Sequence, residues 1–285
     1  MSAVQFFGQY LIDCGAVTPA ALEDALAYQA AVNVPLGALA LSKGLLSERQ
    51  VLLVHTEQRR SDKRFGELAV QLGFLKRSQL DDLLREQAEA RILIGEALVQ
   101  KGHLTREALD AAFNAYRAEQ ARAEEETRRA LTTAPCAPAV EAAADVTMRL
   151  LLRLGNLSAK LTRVGWDRPL AAQDHVFCQA VEGDQPFTYA LSLSAAHTLL
   201  LGRRMLEPLQ GADVPEAVDA LVLDVVKEFV NIVTLQVCAR LARDGRRYTP
   251  GAPELAGLPA PTGPRVVVDL VLPQGLIGIA IDLPR

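Results

Sequence analysis

Aromatic residues are scarce in this chain: 5% of 285 residues, with a single tryptophan. Base-stacking platforms need such rings, so single-strand nucleic-acid binding is disfavoured. A basic excess is missing as well. The net charge is −4, and a nucleic-acid binder carries a cationic footprint instead. The four cysteines, Cys14, Cys136, Cys178 and Cys238, are scattered, with no C-x-x-C and no zinc-ligand spacing. A disulfide framework is not expected in a chain of this size, which points to a reducing compartment. No window of about 18 uncharged apolar residues exists, so no membrane insertion is expected. The segment MSAVQFFGQYLIDCG has no basic stretch leading into an apolar run. Together these absences predict a soluble, cytoplasmic protein without nucleic-acid partners. G-x-S-x-G, the P-loop and H-E-x-x-H are also absent, which removes common hydrolase and NTPase chemistries. His55, His103, His175 and His197 stand singly in unrelated segments. They read as surface or strand-end residues rather than general bases.

Half of the residues are hydrophobic, enough for packed cores, and the length suits two domains of roughly 100–200 residues. The front of the chain repeats itself. Gly8, Gly37, Gly66 and Gly95 are 29 residues apart, and so are Gly15, Gly44, Gly73 and Gly102. Leu22, Val51, Leu80 and Leu109 keep the same period, as do Gln29, Gln58 and Gln87, with Tyr116 in the fourth copy. Each copy reads as a short helix stopped by its second glycine, then a longer helix. Thr18-Pro19 supplies an N-cap and a first-turn proline. Ser47 and Thr105 repeat the cap. One copy cannot bury its apolar face alone, so neighbouring copies must pack.

These residues resemble the N-terminal domain of the MshE and type II secretion ATPases. That family uses a tandem R-L-G-x-x-L-x-x-x-G-x-L-x-x-x-x-L-x-x-A-L-x-x-Q motif with five residues between copies. The gaps Ala30–Val34, Arg59–Lys63 and Ala88–Ile92 are all five residues long. The resemblance implies two tandem units that bind cyclic di-GMP, with an Arg on guanine and phosphate and the Leu and Gln positions shaping the pocket. The Arg position holds Phe6, Pro35, Arg64 and Leu93. Only the third copy keeps both Arg and Gln, so the implied ligand set is Arg64, Phe65, Gly66, Leu80, Leu84 and Gln87. A dianion needs cationic partners. The other reading of this region is a docking module without nucleotide.

From Ala118 the period breaks. A charged, Ala-rich helix end passes into Thr132-Thr-Ala-Pro-Cys-Ala-Pro-Ala, which reads as a semi-extended tether. The expected boundaries are therefore 1–117 for the helical module, 118–140 for the linker and 141–285 for a second domain.

The second domain reads as an amphipathic helix over 141–154, then strands at His175–Val181 and Phe187–Leu193. A helix follows over Ala195–Leu206 with Ser194 as N-cap. A long apolar helix runs from Pro215 to about Ala242, opened by Asp213-Val-Pro. A hairpin, Arg265–Leu272 and Leu276–Leu283, closes the chain. The fold class is thus two-part, all-α and then α+β, with an antiparallel or mixed sheet and helices on one face. On the long helix, Asp224, Glu228 and Asn231 fall within about 60° of one another. An unpartnered buried carboxylate is costly, so this stripe must face water or another protein.

Asp224-x-x-x-Glu228-x-x-Asn231, followed by Pro250 and Pro253, resembles the signature of the CheX/CheC/FliY chemotaxis phosphatases. The Gly that often follows the Asn by four positions is Leu235 here. The resemblance implies hydrolysis of an aspartyl phosphate on a response-regulator receiver domain, which brings its own Mg²⁺. No cofactor is required of this chain. Asn231 would orient the attacking water, Glu228 would pair with a receiver lysine, and Asp224 would support the helix end or the interface. A single E-x-x-N, as in the dimeric CheX branch, implies a homodimer. A receiver-binding adaptor without catalysis is the alternative.

Overall fold

A computed structural model describes residues 4–58, 61, 63–166, 168–170, 173–210, 214–242, 245–257, 260–261 and 263–283. The chain forms two compact units, Phe6–Glu119 and Met1–Gln5 with Gln120–Arg285. Among the described residues, no single helix is long and apolar enough to cross a membrane.

The first unit holds α1 (Phe7–Asp13), α2 (Pro19–Val32), α3 (Leu36–Ser42), α4 (Glu48–Gln58), α5 (Phe65–Gln71), α6 (Arg77–Ala90) and α7 (Ile94–Gln100), and the start of α8 (Arg106–Thr133). Short and long helices alternate. Each seven-residue helix is followed by a glycine with positive φ, between 65° and 76° at Gly15, Gly44, Gly73 and Gly102. At the first of these turns, Gly15 N donates to Ile12 O and Ala16 N to Leu11 O, which satisfies carbonyls at the helix end. Gly66 has a different job. A Cβ there would stand 2.4 Å from Leu80, so the leucine of the long helix packs directly on the backbone of the short one.

The helix pairs that share a core are not all neighbours in sequence. Leu46, Val54, Leu68, Leu75 and Leu83 form one core between the second and third pairs. Leu11, Val17, Ala25, Ile92 and Leu98 form another between the first and the last. Two hydrogen bonds lock the arrangement in the same crosswise sense. Gln29 Nε2 donates to Ile92 O at 3.0 Å, and Gln87 Nε2 donates to Val34 O at 3.0 Å. The expected gap Arg59–Lys63 falls partly on residues 59, 60 and 62, outside the described residues.

Within 118–140 the expected helix end is present, and the expected semi-extended tether from Thr132 is a correction. Helix α8 continues to Thr133, and α9 (Ala137–Gly155) begins after a turn at Pro135-Cys136. Two features hold this stretch in helices. Ala123, Thr127 and Ala134 are buried, so the charged run has an apolar seam. Pro138 sits in the first turn of α9, where a missing N–H costs nothing. Cys136, at φ 50°, makes the bend.

The second unit continues with β1 (Lys160–Trp166), β2 (His175–Gly183), β3 (Phe187–Leu193), α10 (Ala195–Gln210), α11 (Ala220–Leu241), β4 (Tyr248–Pro250), β5 (Glu254–Leu255), β6 (Arg265–Leu272) and β7 (Gly275–Asp282). The sheet order is β1-β6-β7-β3-β2-β4, with β5 also on β2, and every described pairing is antiparallel. Strand β1 was not expected from the sequence. Its register shifts between Leu161 and Arg163, and such an irregularity disrupts a period-two pattern. Helices α9, α10 and α11 cover one face, over Phe177, Tyr189, Leu191, Val268 and Ile279. Inside this core the Tyr189 hydroxyl bonds the Thr147 hydroxyl at 2.9 Å. The opposite face carries smaller side chains, Cys178, Ala190, Val267 and Ala280.

Candidate functional site

Helix α11 positions the stripe. Its N-cap is Asp219, whose carboxylate accepts from Val222 N at 2.8 Å. The expected start at Pro215 is therefore too early, and Asp213 lies outside the described residues. The cap decides because an Asp with extended backbone satisfies an orphan helix N–H, which a proline upstream cannot do. Val226, Phe229, Val230, Val233 and Val237 are fully buried in the core shared with the sheet, and Val222 is buried against Gly202 of α10. That apolar side holds the helix down and turns the other side outward.

On the outward side, Asp224 and Glu228 are exposed and Asn231 is half-buried. Leu221 and Leu235, also exposed, lie at the two ends of the same stripe. Asp224 pairs with Lys227 at 3.0 Å, three residues on. It therefore serves the helix surface rather than its N-terminus. Asn231 Nδ2 donates to Glu228 Oε2 at 3.4 Å. The carboxylate and the carboxamide thus form one polar group at the centre of the stripe.

The amide of Asn231 has a second partner that sequence reasoning missed. Gln179, on β2, is 1% exposed. Its Nε2 donates to Asn231 Oδ1 at 3.1 Å and to Gly251 O at 2.8 Å. Gly251 is held in turn, because its N–H donates to Ala180 O at 2.8 Å. The segment around Pro250 and Pro253 runs along the edge of β2, where Pro250 pairs with Val181 and Leu255 with Phe177. Proline is tolerated there because an edge strand leaves N–H positions unused. The available signal for Gln179 was one polar residue on the inward face of β2, beside Phe177 and Val181, both nearly inaccessible.

The other predicted set lies in the first unit. Arg64 is exposed at the N-cap position of α5, where its backbone N–H donates to Glu67 Oε2 at 3.0 Å. Leu80 is buried against Gly66, while Leu84 is 44% exposed. Phe65 packs near Gly37. Gln87 spends a donor on Val34 O.

His197 corrects the expectation of a surface or strand-end residue. It is 7% exposed in the first turn of α10, with Nδ1 2.8 Å from Ser194 Oγ. Burial holds its pKa below the ordinary 6.5. Cys178 and Cys238 are buried thiols pushed up to about 11, chiefly by desolvation. They are poor nucleophiles near neutrality. Among the described residues, no group of three or more His, Cys, Asp or Glu is arranged to hold a metal ion.

No family model matches the chain, and no curated protein matches it in sequence. Among solved structures, it is similar to the chemotaxis protein CheX from Desulfovibrio desulfuricans. That match has 14% identity and a TM-score of 0.45, and covers 51% of this chain and 98% of that one. A CheC-like superfamily protein from Shewanella sp. PV-4 matches at 17% identity, TM-score 0.47, over 52% and 98% of the two chains. CheX from Vibrio vulnificus matches at 18% identity, TM-score 0.45, over 50% and 97%. Each match extends over about half of this chain.

Proposed function

We propose that the C-terminal unit hydrolyses the aspartyl phosphate of response-regulator receiver domains. The observation that carries this reading is the pairing of Glu228 and Asn231 on the outward stripe of an otherwise buried helix, in the sequence order of the resemblance. A polar pair fixed on a rigid helix, with exposed leucines at both ends, suits docking against another protein surface.

The chemistry follows from the donor set. Water attacks phosphorus in line with the bond to the aspartyl oxygen. That bond breaks, the carboxylate leaves with its electron pair, and inorganic phosphate keeps the water's protons. Asn231 is neutral, so it adds no negative charge beside the phosphoryl group. Its carbonyl oxygen has two lone pairs, and Gln179 takes one. The other accepts a hydrogen of the attacking water and turns the water's lone pair toward phosphorus. Glu228 faces a cationic group of the receiver and sets the docking register. The Mg²⁺ that screens the phosphoryl oxygens belongs to the receiver.

The test is phosphate release from a chemotaxis-type receiver domain loaded with acetyl phosphate and Mg²⁺. Asn231→Ala is expected to lower kcat about 100-fold, the usual scale for losing a positioning contact. Glu228→Ala is expected to raise KM about tenfold, which corresponds to about 1.4 kcal/mol. An Asn231→Ala chain as fast as wild type sinks the reading. Leu235, 50% exposed where the resemblance has glycine, favours a second reading, a receiver-binding protein without hydrolysis. Tight binding with no phosphate release from wild type selects it.

For the N-terminal unit, docking is better supported than cyclic di-GMP binding. Gln87 is bonded across the helical module, and Arg64 is the one arginine at the four motif positions.

A further inference from the structure

The geometry points to Gln179 as a positioning residue that sets which end of the Asn231 amide meets the substrate. The inference rests on the phosphatase reading above for its kinetic consequence, but not for its structural content.

A carboxamide has two ends of similar shape and opposite hydrogen-bonding sense. Here the neighbours decide between them. Gly251 O is an acceptor only, so the Gln179 atom 2.8 Å from it is the amide nitrogen. The second N–H of that nitrogen points at Asn231, 3.1 Å away, and demands an acceptor there, Oδ1. The opposite end of Asn231 meets the Glu228 carboxylate, also an acceptor, and demands Nδ2. Donors and acceptors therefore alternate from Gly251 through Gln179 and Asn231 to Glu228. Turning Asn231 over would set oxygen against oxygen at Glu228 and N–H against N–H at Gln179, and turning Gln179 over would set oxygen against oxygen at both of its contacts. The backbone bond from Gly251 N to Ala180 O anchors the far end of the relay to β2 itself.

Tying Gly251 to β2 is a structural role, but it uses only one of the two N–H groups of Gln179. Gln179 points the same way as Phe177 and Val181, into the apolar layer between sheet and helices. Its own Oε1 is buried without a hydrogen-bond partner among the described residues. Such an acceptor is destabilising, and its cost offsets part of what the two donated hydrogen bonds contribute. What Gln179 supplies in return is a donor at the base of Asn231. An amide with one rotamer and one sense needs no reorganisation when the phosphoryl group arrives.

The variant to compare is Gln179→Met, which keeps length and volume and removes the donor; Gln179→Leu is the second choice if it folds poorly. With the phosphorylated receiver domain as substrate, kcat is expected to fall about ten- to hundredfold. The dissociation constant for the same receiver loaded with beryllofluoride is expected to stay within about twofold, and the melting temperature to change by no more than about 4 °C, because two lost hydrogen bonds are set against one relieved buried acceptor. In an Asn231→Ala background, Gln179→Met should leave the rate unchanged, because both substitutions remove one device. Multiplying losses in the double variant, or a shared fall in melting temperature and affinity with kcat intact, overturns the proposal. Side-chain amide NMR gives a readout independent of turnover. The Gln179 Nε2 protons should exchange with solvent far more slowly than those of an exposed amide, and the Asn231 Nδ2 signals should shift in Gln179→Met. Rapid exchange at Gln179 overturns the clamp whatever the activity. A wild-type chain that never releases phosphate removes the proposed function, and the exchange rates still decide the clamp.

Discussion

Three buried side chains of the C-terminal unit make its stability depend on pH at both ends. His197 is neutral in the fold, with its pKa below 6.5 because burial penalises the imidazolium. The unfolded chain therefore binds more protons as pH falls below that value, and stability is lost on the acid side. Cys178 and Cys238 act in the opposite sense. Their thiols hold protons up to about pH 11, whereas the ordinary value is 9.0. Between those values the unfolded chain releases protons that the fold retains, so stability is lost as pH rises. Thermal unfolding followed from pH 5 to 11 should show a plateau between about 6.5 and 9, with falling limbs on either side. His197→Gln should flatten the acid limb and leave the alkaline one, and Cys238→Ala should make the alkaline limb shallower, with the share of Cys178 remaining, and leave the acid one. A melting temperature that climbs below pH 6 would contradict the assignment.

Among the secondary-structure elements, the two glycine positions of each short helix carry different physics, and substitution should separate them. Gly73 has φ +72°, and a Cβ there meets nothing within 4 Å. Gly73→Ala should cost about 1–2 kcal/mol from backbone strain alone. Gly66 has no such backbone demand. Its Cβ would stand 2.4 Å from Leu80 and 3.2 Å from Leu36. Gly66→Ala should cost about 1–3 kcal/mol through overpacking. Adding Leu80→Ala should recover part of the loss at Gly66 and none at Gly73. Urea unfolding of the four variants reads this directly. Equal rescue at both positions would argue against the distinction.

At the scale of the whole molecule, the two units have separate cores: one cluster draws on residues 134–281, the others on residues 11–98. The chain is expected to unfold in two calorimetric transitions, and a fragment of residues 120–285 should carry the phosphate release proposed for the C-terminal unit. It should melt a few degrees lower, because Gln5 N no longer reaches Gln120 Oε1 and Lys160 Nζ no longer reaches Gln5 O. A fragment that aggregates or loses all activity would show that the units depend on each other. Titration calorimetry of the full chain with cyclic di-GMP tests the first unit. No heat is expected, in line with the docking reading. Binding that Arg64→Ala abolishes would restore the nucleotide.

Local regularities made much of this legible beforehand. A glycine every 29 residues and a leucine behind it marked short and long helices, because capping and side-chain periodicity act within a few residues. Asp224, Glu228 and Asn231 could be placed on one stripe for the same reason. Three things depended on packing at a distance. The first helix pair shares its core with the last, since the apolar faces of all the pairs are alike and only the closed arrangement chooses between them. The stretch from Thr132 to Ala139 ends one helix and opens the next because Ala134 and Ala139 are buried, which its two prolines do not reveal. Gln179 stands 52 residues before Asn231 and carries no pattern of its own. The sequence by itself determined which side chains the long helix turns outward. Only the tertiary structure decided how the amide among them is held, because its donor arrives on a different strand.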